Sequence, residues 1–237
     1  MVYYFYQDIS YVIISIIFLL FLVGHMFYYR RFTRGSFHLL GLILMLSTAG
    51  LSDLAFRWNP RPIIVLYADA LNVFCFVFAL AILLHYSLVH FFKSRLWTET
   101  KFYWTLYLPA LVISALHVLT PLMIAGIFFG PIGFQLSYNA GYWAIVIYGM
   151  GFSLLSVFLN LGIIVKDTSP SEKNQSVFLL FTHLLLIYFY SSSLILPFLF
   201  NMFNFVSPLP TTFAIIVLAY AYVKYNYFSL ETESVPQ

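Results

Sequence analysis

Charge is what this sequence has least of. Of 237 residues only 11 are Lys or Arg and 8 are Asp or Glu. That is 8% charged, against roughly 25% in an ordinary globular protein. A soluble domain so poor in charge would present large apolar patches to water and aggregate. In a bilayer the same surface is solvated by lipid. Cysteine is nearly missing as well: Cys75 stands alone inside an apolar run. No internal disulfide can form, and the redox compartment is left open. There is no GxSxG, no HExxH and no Gly-rich phosphate loop, so the sequence gives no ground for a serine hydrolase, a zinc protease or a nucleotide enzyme. We expect no enzyme, no cofactor, no metal and no nucleic-acid partner. No basic residue precedes the first apolar run and no small-residue cleavage pattern follows it. That run therefore reads as a retained helix and not as a signal peptide.

What the chain does have is oil. Hydrophobic residues make up 62%, with 27 Phe and 19 Tyr. Runs of ~20 apolar residues are long enough to span a hydrocarbon core, and we expect an all-α, seven-transmembrane-helix bundle over residues 1–230. The helices are placed at about 9–29, 36–56, 63–92, 103–124, 142–165, 176–200 and 208–228, with a tail over 231–237. Pro60 and Pro62 break the pattern between the second and third helices. The stretch GIFFGPIGFQLSYNAG, 126–141, lacks charge and is rich in glycine; it reads as a loop that dips into the interface or caps the bundle, with GPIG marking a turn. Orientation follows from the cations. With the N-terminus outside, nine of the eleven Lys and Arg fall in inner loops and two, Arg57 and Arg61, in outer ones. The positive-inside bias thus places the C-terminus in the cytoplasm.

Inside a membrane a carboxylate is expensive, roughly 2.5–3.5 kcal/mol at mid-helix, so each one asks for a reason. Asp69 lies six residues past Ile63, about 9 Å down the third helix. Asn72, three residues on, faces the same way. Asp53 and Arg57 are four apart at the outer end of the second helix and can share a face. Tyr67, His117, Tyr142, Trp143 and Ser192 fall in the same outer half. One reading is an outward-facing polar pocket for a small ligand, anchored by Asp69 and Arg57. The other is an Asp69–Arg57 or Asp53–Arg57 pair that satisfies itself and fixes helix packing. The six histidines do not make a metal site: His85 and His90, five apart, lie about 140° from one another round a helix. A retinal Schiff base is also excluded, because Lys224 stands at the exit of the last helix and not deep within it.

That last helix carries a resemblance. It opens on Pro208 and Pro210, runs through AIIVLAYAYVKYNYFSL, and ends in a basic and aromatic stretch. It resembles the seven-helix N-terminal sensor region of bacterial histidine kinases and diguanylate cyclases, whose last helix closes near KYRLFDL. Lys224, Tyr225, Phe228 and Leu230 match that ending; Asn226 and Tyr227 depart from it. Glu172 to Gln175 also resemble the family's polar loop before its sixth helix. The resemblance implies a signal exit at Lys224, Tyr225 and Phe228, a cytoplasmic signalling domain or partner protein, a homodimer, and a bacterial cytoplasmic membrane. Residues 231–237 are too few to fold, so it implies either the input module of a longer protein or a stand-alone relative. The expected function is a receptor-like sensor of a small ligand or membrane state. A small transporter or channel, or a structural subunit of a membrane complex, is the alternative.

Overall fold

The computed structural model describes residues 2–28, 34–58, 61–92, 100–120, 122–130, 133–166, 169–191 and 209–225. Seven α-helices, one β-hairpin and a short 3-10 turn at Ala140–Tyr142 make up this part of the chain. The helices are α1 (Val2–Tyr28), α2 (Arg34–Trp58), α3 (Pro62–Phe92), α4 (Thr100–Leu119), α5 (Trp143–Val165), α6 (Pro170–Tyr190) and α7 (Leu209–Tyr225). The strands, β1 (Ile124–Gly130) and β2 (Gly133–Tyr138), lie between α4 and α5. Four apolar segments, Ile9–Tyr28, Pro62–Phe92, Phe102–Leu119 and Ala140–Val165, are long enough to cross a membrane. His38–Ser52 and Leu209–Lys224 are shorter apolar segments. Large apolar side chains such as Ile17, Leu20, Trp104, Ile147, Phe158 and Phe213 point outward, as suits a surface solvated by lipid.

α3 is the centre of the bundle. It packs on α2, α4, α5 and α6, and every residue from Ala79 to Leu88 is buried. A helix covered on all sides needs no polar face, which is why its sequence is apolar without a clear stripe. α7 closes the other side against α1, α2 and α6. Paired contacts fix the directions. Tyr148 and Asn160 of α5 meet Val77 and Ser87 of α3, so these two helices run parallel. His117 and Tyr107 of α4 meet Asp69 and His85 of α3, so α4 runs against them. Ser15 meets Thr212 and His25 meets Tyr222, so α1 and α7 run parallel. The helices alternate in direction, and the starts of α3, α5 and α7 share the hairpin end of the bundle.

Two expectations are corrected here. The stretch placed as a loop forms an antiparallel hairpin, with Gly126 opposite Ser137 and Gly130 opposite Gly133, and a register shift between Ile124 and Gly126. The chain is therefore mostly helical but not all-α. The reason is backbone polarity: strand pairing satisfies N–H and C=O groups that an irregular apolar loop would leave unpaired. The fourth helix, expected to reach Ile124, stops at Leu119. Pro121 disfavours helical geometry at the residue before it, and the Thr120 hydroxyl donates back to the Leu116 carbonyl at 2.6 Å. At the root of the hairpin Asn139 N–H donates to Met123 O, and Tyr142 N–H to Asn139 O, each at 2.9 Å. Gly141 is needed in this turn, since a Cβ there would lie 2.5 Å from the Leu122 carbonyl oxygen.

α6 begins at Pro170, six residues before its expected start. Ser169 caps it: its hydroxyl accepts from the Glu172 N–H, and the Glu172 carboxylate accepts from the Ser169 N–H. This reciprocal pairing satisfies two of the free donors at a helix start.

Candidate functional site

The hairpin end of the bundle holds a buried carboxylate with two donors from two other elements. Asp69, in the second turn of α3, is 3% exposed. Its Oδ2 lies 2.6 Å from Nε2 of His117, near the end of α4. Its Oδ1 accepts from the Tyr138 hydroxyl at 2.9 Å, from the last residue of β2. A carboxylate only accepts, so Nε2 of His117 carries the proton in this bond. The Tyr138 ring stacks on Tyr142 at 4.1 Å between centroids, and Tyr142 lies 6.2 Å from the His117 ring. One side chain thus ties together α3, α4 and the hairpin, and the aromatic pair covers it.

The local sequence explains the placement. β2 alternates, so Leu136 and Tyr138 face the bundle together; Leu136 is buried, and β2 packs on α3 and α2. Burial, and then the Asp69 carboxylate, push the Tyr138 phenol well above its ordinary titration range. Tyr138 therefore remains a proton donor to Asp69. Two buried polar atoms beside this cluster have no protein partner among the described residues: Oδ1 of Asn72, one turn along from Asp69, and Nδ1 of His117. Asp69 and His117 are two potential metal ligands, but no group of three ligating side chains occurs among the described residues.

The residues singled out in the sequence divide into four sets. Asp69, His117 and Tyr142 come together, and buried Asn72 lies on α3 beside them. Tyr67 and Trp143 do not join the cluster but face outward, 67% and 44% exposed. The side chains of Asp53, Arg57 and Tyr225, and the whole of Ser192 and Phe228, lie outside the described residues. Asp69 finds its partners in His117 and Tyr138; Tyr138 was not singled out, although its place two residues after Leu136 in an alternating stretch was a usable signal. Lys224 is exposed on the last turn of α7, where its Nζ donates to the Tyr220 hydroxyl at 2.6 Å.

The opposite end has its own polar cluster. Nδ1 of His85 lies 3.1 Å from the Tyr107 hydroxyl, and Nε2 of His38 lies 3.3 Å from that of Tyr103. The His38 and His85 rings meet edge-on at 5.4 Å. Lys166 sits over the Phe91 ring at 3.8 Å, bracing the ends of α5 and α3.

No protein-family model matches this chain, and no curated protein matches it.

Proposed function

We propose that the chain is a seven-span membrane sensor, with α1 starting outside and α7 ending in the cytoplasm. The observation that carries this reading is the buried Asp69 carboxylate, held at once by α4 and by the hairpin. A charge so placed is costly unless paired, and its pairing joins α3, α4 and the hairpin at one point. A small polar ligand, or a change of membrane state, that competes for Asn72, His117 or Tyr138 would alter how α4 and the hairpin sit on α3. For the shift to register, it must bind two arrangements with different affinity, about 1.4 kcal/mol for each tenfold. α3 packs on α2 and α6, and these pack on α7, so a packing route leads to the exit at Lys224.

The cations support the orientation: Lys166, Lys173 and Lys224 lie at the end away from the hairpin, as the positive-inside bias asks of a cytoplasmic end. The resemblance to bacterial sensor regions supports a bacterial cytoplasmic membrane, a homodimer, and a cytoplasmic signalling domain or partner protein that receives the message.

The test joins the two ends. In a Cys75→Ser background, Lys224→Cys carries an environment-sensitive fluorophore in nanodiscs, and Asp69→Asn is then introduced. A relay predicts a changed emission at position 224 with helical content unaltered by circular dichroism. An unchanged label rejects it. Solute flux through proteoliposomes above that of empty vesicles would favour a transporter instead.

A further inference from the structure

We propose that α3, α5 and α6 enclose a buried water site, a polar seam that runs from mid-bundle toward the end opposite the hairpin. The ligand class is water itself, held as a short file with His183 as its innermost anchor. The seam is separate from the Asp69 cluster and does not depend on the sensor reading.

Five side chains build it: Ser153, Ser156 and Asn160 on α5, and Ser176 and His183 on α6. Each is at most 1% exposed. In each, one polar atom has no protein hydrogen-bond partner among the described residues: the three serine Oγ atoms, Oδ1 of Asn160 and Nε2 of His183. Buried polar atoms left in that state are rare, and an internal water is the usual partner.

The helical register brings these atoms to one side. Ser153, Ser156 and Asn160 follow an i, i+3, i+7 spacing and span roughly 60° of α5. Asn160 fixes where that arc points: its Nδ2 donates at 2.8 Å to Ser87 Oγ of α3. Ser176 and His183, seven apart, share a face of α6. Phe178 of α6 meets Tyr220 of α7, and Phe189 meets Phe76 of α3. Ser176 and His183 lie at least about 120° round the helix from both, on the side left for α5. α5 and α6 pack on each other and run antiparallel through a short connection. Asn160, five residues before the end of α5, is therefore level with Ser176, six after the start of α6. Ser153 is level with His183 by the same count. Two polar levels result, with Ser156 between them.

The chemistry of the set selects water. Nδ1 of His183 lies 2.7 Å from the Leu179 carbonyl; a carbonyl accepts, so Nδ1 holds the proton and Nε2 of the neutral ring offers a lone pair. Oδ1 of Asn160 is likewise an acceptor. The serine hydroxyls both donate and accept. Water supplies two donors and two acceptors and needs two to four polar partners. These five side chains include no carboxylate, so a bare cation would find no charge to balance it.

X-ray hydroxyl-radical footprinting of the wild-type chain in nanodiscs tests the site, because bound water generates the radical where it sits. His183 is expected to be oxidised several-fold faster than Leu179 and Leu186 of the same helix, after correction for intrinsic reactivity. In H2 18O the added oxygen should carry the heavy isotope. Ser153→Ala should slow labelling at His183 and lower the Tm, since it removes an anchor of a bound water. A dry seam gives the opposite sign: deleting an orphaned hydroxyl raises the Tm. Labelling of His183 at the rate of Leu186, or a Tm raised by Ser153→Ala, overturns the proposal; the wild-type footprint alone decides if the variant does not fold.

Discussion

Nε2 of His117 and Oδ2 of Asp69, forty-eight residues apart in the chain, lie 2.6 Å from each other with almost no solvent access. Neither group can turn to water if the other is removed. Truncating the histidine and truncating both should therefore have different costs.

His117→Leu leaves the carboxylate with Tyr138 as its remaining donor, and should destabilise the protein by about 3 kcal/mol, in the range for breaking one side of a buried pair. The double variant His117→Leu with Asp69→Leu should lose less, because no buried charge is left behind. Thermal unfolding in one detergent compares the two. A loss in the double variant equal to the sum of the His117→Leu and Asp69→Leu losses would show that the two residues are not coupled.

Tyr138→Phe removes a hydrogen bond to a charged group, a loss of roughly 1.5–3 kcal/mol. It should also change the alkaline limb of stability. The folded state holds the Tyr138 phenol above its unfolded range, so its contribution is complete below a pH of about 10, the unfolded value, and is lost as the pH rises beyond it. The wild-type Tm should fall more steeply than that of Tyr138→Phe above this pH. Parallel curves would refute the assignment.

Gly141→Ala should be harsher than Gly126→Ala. The first places a methyl 2.5 Å from the Leu122 carbonyl oxygen, a backbone atom that cannot swing aside. The second meets only the Ser137 hydroxyl, at an ordinary 3.7 Å. We expect a loss of about 1–3 kcal/mol for Gly141→Ala, and faster proteolysis within the hairpin, with little change for Gly126→Ala.

Ser169→Ala removes the cap of α6 and should cost about 1 kcal/mol. Amide exchange at Glu172 should quicken, since its N–H bonds to the Ser169 hydroxyl at 3.3 Å. Exchange deep in α6, at Leu186, should stay unchanged.

The helices were legible because apolar runs bounded by Arg, Lys and Pro can hardly be read otherwise. The start of α6 was missed, although Ser169, Pro170 and Glu172 spell a capping box, because their polarity resembles a loop. The hairpin was missed because its residues, Phe128 and Phe129 among them, are equally at home in an interfacial loop, and pairing register is not written in composition. Asp69 and His117 stood out separately as buried polar groups. Their bond did not, since it depends on how far α4 is rotated against α3, and no local rule sets that angle. Tyr138 could be placed only once its strand was known.

α4 packs principally on α3 and is fastened to it by two polar bonds, His117 to Asp69 near its end and Tyr107 to His85 closer to its middle. A rod riveted twice to the same beam has no hinge of its own. While both bonds hold, α3 and α4 behave as one body, whose outer flank is the apolar face at Trp104, Leu108 and Leu111.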